Sequence, residues 1–116
     1  MEQPSLEVLK GTLDVLILKT LSWGPAHGYG ITRWLKRTTD ATLQIEEGAL
    51  CPALHRLERR GWVVSEWGLS ENKRRAKFYE LTDEGRVRLQ EREAGWERFV
   101  DPMTKVLKSD DPVALP

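Results

Sequence analysis

The chain has 116 residues, 40% hydrophobic and 31% charged, and its 18 Lys and Arg balance 18 Asp and Glu. That composition fits one soluble globular domain with room for an appended helix, and it is too apolar for wholesale disorder. No run of about 18 apolar residues is present to span a membrane, and a single cysteine with two histidines argues against a disulfide framework or a structural zinc site.

Acidic Glu2 and the lack of a basic lead into an apolar core argue against a secretion signal, so a cytoplasmic location is expected. Residues 6–21 read as a helix that is apolar over most of its circumference. Leu6, Leu9, Leu13, Leu16, Ile17 and Leu21 make one face, and Val8, Val15 and Leu18 widen it. A helix greasy on more than one side is buried on more than one side. In so short a chain the second cover is expected from another subunit. Trp23-Gly24-Pro25 then makes a turn.

A second helix is expected over residues 26–37, with Ile31, Trp34 and Leu35 inward and Arg33, Lys36 and Arg37 outward. Gly28 and Gly30 in its first turn cost about 1 kcal/mol each relative to Ala. That cost points to a close approach by another backbone or a phosphate. The alternation of Thr42-Leu43-Gln44-Ile45 predicts a very short strand.

Residues 47–60 give a third helix. Leu50, Ala53, Leu54 and Leu57 form its buried seam, while Gly48, Pro52, His55, Arg56 and Arg59 collect opposite, with Cys51 on a flank. Gly61 is placed as a left-handed C-terminal cap. Pro52 requires the helix to start near Glu47 to Leu50, because proline has no N–H to give.

Residues 62–67 (WVVSEW) and 77–81 (KFYEL) read as two strands of a hairpin. Between them a long, mobile polar tip, residues 68–76, carries Lys73, Arg74 and Arg75. Thr82 is a suitable N-cap for a last helix, with Asp83 and Glu84 complementing its dipole. Leu89, Trp96 and Met103 are seven apart, as are Val100 and Leu107, and Phe99 and Val106 broaden the stripe. Glu93 interrupts this heptad-like seam. Pro102 is expected to kink or interrupt the helix, and residues 108–116 to form a disordered tail.

The zero net charge hides an uneven distribution. Between His55 and Lys77 there are seven Lys or Arg against three Glu, whereas from Thr82 onward acids outnumber bases by eight to six. A basic patch on a neutral molecule still binds through the patch. The order helix, helix, short strand, helix, hairpin, helix is that of a winged helix-turn-helix, an α+β fold that is mostly helical. In it the third helix enters the major groove and the wing reaches the neighbouring backbone. The DNA-contact candidates are therefore Tyr29, Gly48, Cys51, Pro52, His55, Arg56, Arg59, Lys73, Arg74, Arg75 and Lys77.

Four blocks carry a family resemblance: LKGTLDVLILKTL (9–21), GPAHGYGI (24–31), EGALCPALHRLERRG (47–61) and RRAKFYELTDEG (74–85). In this order and spacing they resemble the PadR family of bacterial transcriptional regulators, over about residues 6 to 107. The resemblance implies a winged helix-turn-helix DNA-binding domain at 1–81 and a C-terminal dimerisation helix at 82–107. It implies a homodimeric repressor at a palindromic operator, with partners double-stranded DNA and a second copy of the chain, no cofactor and no membrane. The short last helix is similar to the compact, multidrug-sensing branch. Trp96 matches an aromatic that lines an interfacial pore in drug-binding relatives, so a small aromatic effector stands as the alternative to plain packing at this heptad position. The interface would hold Leu6, Leu9, Leu13, Leu89, Trp96, Phe99, Val100, Met103 and Leu107. Cys51 departs from the family's usual tyrosine. It reads as a small gap-filling residue in preference to a redox thiol.

Two alternatives share this fold: a ligand-gated multidrug or phenolic sensor, and a protein-interaction module that does not touch DNA. No Ser/His/Asp set, carboxylate pair or phosphate loop is arranged for catalysis.

Overall fold

A computed structural model describes the backbone of residues 6–112 and the side chains of residues 12–112. The order of elements is α1 (Leu6–Leu21), β1 (Ala26–His27), α2 (Gly28–Thr38), α3 (Glu47–Arg59), β2 (Val63–Leu69), β3 (Arg75–Leu81) and α4 (Asp83–Leu107). The three strands form one antiparallel sheet in the order β1-β3-β2. This is the mostly helical winged helix-turn-helix expected from the sequence.

α1 runs through the centre. Its Leu13, Ile17, Leu18 and Leu21 are buried against Ile31 and Leu35 of α2, the Leu50–Leu57 seam of α3, Tyr79 and Leu81 of β3, and Leu89 of α4. The expectation that a second subunit supplies α1's cover therefore needs correcting at these positions, because the chain's own elements supply it. Leu13 and Leu89 are spent inside the protomer and have no surface to offer a partner. Leu6 and Leu9 lie outside the described side chains.

The strand expected at residues 42–45 does not form, and the first strand is Ala26–His27 instead. The free edge of β3 is taken by these two residues, through the pairs Ala26 with Tyr79 and His27 with Phe78. Thr42 to Ile45 is held differently: the Leu43 N–H donates to Thr39 Oγ1 at 3.0 Å, and Ile45 is buried in the core. α2 consequently begins two residues later than expected. His27 is its N-cap, and its Nδ1 accepts from the Gly30 N–H at 3.0 Å. The ring is thus the tautomer with its proton on Nε2. Between α2 and α3, Asp40 and Ala41 both adopt left-handed backbone, with φ of 51° and 63°. Ala41→Gly should therefore stabilise the protein by about 1 kcal/mol, read by urea denaturation.

α3 ends as the sequence requires. Gly61 has φ 78°, its N–H donates to Glu58 O at 3.0 Å, and the Trp62 N–H donates to Leu57 O at 3.0 Å. That pair of bonds is the Schellman arrangement. Thr82 then ties this corner to α4. Its Oγ1 accepts from the Gly85 N–H at 3.0 Å and donates to Gly61 O at 2.7 Å, while its N–H donates to Trp62 O at 3.1 Å.

α4 is not interrupted at Pro102 but continues to Leu107. The carbonyl that loses its partner there belongs to Arg98, an exposed residue, so water can satisfy it. Only the first half of α4 packs on the domain. At 25 residues it is about 37 Å long, and its second half projects, contributing to a molecule of 62 × 32 × 21 Å. Among the described residues no helix is long and apolar enough to cross a membrane.

Candidate nucleic-acid interface

The leucine seam of α3 fixes which side the helix shows. With Leu50, Ala53, Leu54 and Leu57 buried, Gly48, Cys51, Pro52, His55 and Arg59 are exposed together. A Cβ added at Gly48 would meet no atom within 4 Å. Pro52 lies beyond the first turn, so the carbonyl of Gly48 lacks its helical donor and faces the same open side. Gly48→Ala should therefore raise stability by about 1 kcal/mol through helix propensity. If DNA approaches this turn closely, the same variant should bind it less tightly, so anisotropy and melting curves should move in opposite directions.

Arg56 is a correction. Its Nη2 lies 2.7 Å from Asp14 Oδ1, and Arg60 Nη1 lies 3.7 Å from Asp14 Oδ2. Asp14 is 5% exposed on α1, and a buried carboxylate needs partners. Arg56 therefore faces α1 and fastens α3 to the core rather than presenting itself to a ligand.

Lys77 is a second correction. Its Nζ sits 3.7 Å from Glu58 Oε1, and Ser65 Oγ donates to Glu58 Oε2 at 2.5 Å. It ties the wing to the last turn of α3 and is no free wing cation. Tyr79 lies below this group. Burial, then the charge of Glu58 and then that of Cys51, raise its hydroxyl pKa above the usual value, so the hydroxyl stays protonated.

The wing is longer in strand and shorter in tip than expected. Its ladder extends to the pair Leu69 with Arg75, leaving Ser70 to Arg74 as a closed turn. The Ser70 N–H donates to Arg74 O at 2.8 Å and the Lys73 N–H to Ser70 O at 2.9 Å, with Lys73 left-handed at φ 60°. Arg75, the last ladder residue, lies over the Trp67 ring at 4.8 Å. Lys73, Arg74 and Arg75 are all exposed.

Tyr29 stands exposed at the start of α2, with Arg33 5.6 Å from its ring centroid. Arg33, Lys36 and Arg37 were legible as outward-facing, but nothing in the sequence tied them to the wing. The fold does so: Arg33 and Arg37 line one cleft with Arg74 and Arg75.

The ion pairs divide the surface. On α1 and α4 they join Lys19 to Glu93, Arg88 to Glu84 and Glu91, and Lys105 to Asp101. Arg33, Lys36, Arg37, Arg59, Lys73, Arg74 and Arg75 have no carboxylate within 4 Å among the described residues. All seven lie on α2, α3 or the wing. Unpaired arginines on α4 sit among an excess of carboxylates; these do not.

The candidate interface residues of α4 lie far from this surface in sequence. Trp96 is 51% exposed and Phe99 55%, their ring centroids 6.2 Å apart. Met103 and Leu107 continue the exposed stripe, and Val100 is half-buried. Among the described residues no cluster of three or more His, Cys, Asp or Glu is placed to hold a metal ion.

Residues 17–91 match the family profile described as "Transcriptional regulator PadR-like family". Among solved structures, a transcriptional regulator from Clostridium thermocellum is 31% identical with a TM-score of 0.79, over 90% of this chain and 99% of that one. A PadR family transcriptional regulator from Eggerthella lenta is 38% identical with a TM-score of 0.72, over 90% and 89% of the two chains. A curated protein from Lysinibacillus sphaericus, described as uncharacterised, is 27% identical over 90 residues, 78% of this chain and 83% of its own.

Proposed function

The chain belongs to the PadR-like family of transcriptional regulators, and we propose on that premise that it is a cytoplasmic homodimeric repressor that binds a palindromic operator. Residues 1–81 act as the DNA-binding unit and residues 82–107 as the dimerisation helix, with 108–116 a tail. α3 enters the major groove, where His55 and Arg59 meet base edges and Gly48, Cys51 and Pro52 allow close approach. Tyr29 and the wing residues Lys73, Arg74 and Arg75 meet phosphates. The observation that carries this is the ion-pair partition: among the described residues, seven cations of α2, α3 and the wing are left without carboxylates, and four of them, Arg33, Arg37, Arg74 and Arg75, line one cleft of a molecule with zero net charge.

Dimerisation rests on the distal half of α4. Trp96, Phe99, Met103 and Leu107 form an exposed apolar stripe on a helix that outruns its own domain, and a second copy of the stripe is a complementary cover. Two-fold symmetry would then set two α3 helices at a fixed spacing on the operator. The exposed Trp96–Phe99 pair also favours a second role, stacking of a flat aromatic effector between the two copies. Quenching of tryptophan fluorescence by planar compounds, lost in Trp96→Ala, would support it; quenching retained in that variant would dismiss it.

Anisotropy titrations against the chain's own upstream DNA and a scrambled duplex test the repressor reading. His55→Ala with Arg59→Ala should cut operator preference by about 30-fold or more, since each of the two lost base contacts carries about 1–3 kcal/mol of discrimination. The Lys73/Arg74/Arg75→Ala triple should weaken both duplexes alike. No preference between duplexes in the unmodified protein would end the repressor reading and leave a protein-interaction module as its successor.

A further inference from the structure

The serine hydroxyls of this chain are mostly spent as donors. Among the described serines, Ser22 donates to Lys19 O, Ser65 to Glu58 and Ser109 to Asp111 O. Ser70, at the root of the wing turn, is the exception. Its Oγ accepts from the Arg74 N–H at 3.2 Å and donates to no acceptor among the described residues. Its backbone is fixed on both sides, the N–H donating to Arg74 O at 2.8 Å and the carbonyl accepting from the Lys73 N–H at 2.9 Å. Ser70 is partly exposed, and residues 71–75 beside it are fully so. A hydroxyl with its proton free, on an exposed turn, is open to a modifying enzyme.

The surroundings of Ser70 favour an anion. It lines a cleft of ≈ 820 Å³ between α2 and the wing, together with Arg33 and Arg37 on one side and Arg74 and Arg75 on the other. Glu47 and Glu71 are the acidic lining residues, and neither comes within 4 Å of an arginine nitrogen there. Arg33 lies over the Tyr29 ring and Arg75 over the Trp67 ring, each with its planar fork left for oxygen. A phosphoryl group on Ser70 Oγ would bring close to two negative charges and three acceptor oxygens to the wall of this cleft. Tethered to the wing, it meets the arginines as an intramolecular ligand, at an effective concentration a free anion does not match.

We propose that Ser70 is a phosphorylation site whose phosphate is taken up by Arg33, Arg37, Arg74 and Arg75, turning the wing away from DNA. The co-reactants are a nucleoside triphosphate and a serine/threonine kinase. Ser70 Oγ forms a bond to the γ-phosphorus, and the bond from that phosphorus to the β–γ bridging oxygen breaks. The hydroxyl proton passes to the kinase's base and the nucleoside diphosphate leaves. The proposal rests on the DNA-binding reading and names its regulation. Wing arginines assigned to DNA phosphates are occupied by a phosphate of the protein itself, and its negative charge faces the duplex.

The test uses the full chain with Ser70→phosphoserine, installed during translation, beside the unmodified protein. By phosphorus NMR without DNA, the second ionisation of the phosphate, ordinarily near pH 6, should fall by about 1 pH unit relative to the same protein in concentrated urea, because the guanidiniums favour the dianion. Arg33→Gln with Arg37→Gln should remove much of that difference. At about 0.1 M salt, phosphorylation should lower operator affinity by about 60-fold, the electrostatic share of one phosphate contact in each protomer of a dimer. In a third arm, an extract of the cells that make the protein, supplied with ATP, should label the unmodified chain and not Ser70→Ala. A phosphate that titrates alike in folded and unfolded protein overturns the site, even where DNA binding falls. Undiminished operator affinity in the phosphoprotein overturns the regulation and leaves the repressor reading standing. Label absent from the unmodified chain, or equal in Ser70→Ala, overturns Ser70 as the acceptor. If the unmodified chain binds no operator while the phosphate titrates low and the label depends on Ser70, the phosphorylation site stands and the repressor reading fails.

Discussion

Gly85→Ala should cost about 3 kcal/mol or more, the upper end of what an added methyl does to a packed site, lowering the melting temperature by roughly 12 °C. A Cβ at this position would stand 2.0 Å from the carbonyl oxygen of Trp62, 3.0 Å from its carbonyl carbon and 3.2 Å from Leu81 Cδ2. The first obstacle is backbone and cannot rotate aside. The first turn of α4 would have to lift away, and with it would go the Thr82 bonds to Gly61 O and Trp62 O and the burial of Leu89. The helix-propensity gain of Ala over Gly, about 1 kcal/mol, works in the opposite direction and is outweighed. Thr82→Ala removes the cap but adds no clash, and should cost only about 1 kcal/mol. Urea or thermal unfolding followed by far-ultraviolet circular dichroism ranks the two variants. A Gly85→Ala protein as stable as its parent would mean that α3 and α4 do not meet through this corner.

Asp14→Ala is the second large effect, about 3 kcal/mol. Removing one partner of a buried ion pair costs about 3–5 kcal/mol because the other charge is stranded. The low end applies here, since a quarter of the Arg56 side chain reaches water and can keep part of its hydration. Arg60, 3.7 Å from the second carboxylate oxygen and half exposed, can turn outward at little cost. Replacing Asp14 and Arg56 together by alanine should cost less than the sum of the two single alanine substitutions, and that double-mutant cycle isolates their coupling. DNA affinity should fall in Asp14→Ala even where the fold persists, because α3 loses its polar fastening to α1. Additive single effects would show that the 2.7 Å contact carries no coupling.

The pattern of the sequence reached the elements it encodes locally. Periodicity, Gly61 and Thr82 give α3, its cap and the start of α4 from within a few residues of each feature. β1 was not legible because Ala26–His27 is a strand only by virtue of β3's free edge, some fifty residues later. For the same reason the alternation at Thr42–Ile45, without a partner edge, stays irregular. A helical wheel showed that Arg56 leaves the leucine seam, but not that Asp14 waits on α1, 42 residues away. Lys77 and Glu58 repeat that lesson in the wing. The apolar girth of α1 signalled burial on several sides correctly and misassigned the cover of Leu13, Ile17, Leu18 and Leu21, since four elements of the same chain enclose them. The basic character of α2 was plain in Arg33, Lys36 and Arg37, whereas its alignment with the wing needed the fold.

The DNA surface proposed for the unpaired cations of α2, α3 and the wing, carried by a dimer, makes a prediction in solution. Titrating a fragment of the upstream region between about 50 and 200 mM salt, with stoichiometry read at saturation, tests it most directly. Two chains should bind each site, tighter than a scrambled duplex, with a logarithmic salt slope of about −5 or steeper, as six or more neutralised phosphates give. Equal affinity for both duplexes with a slope near zero would contradict it.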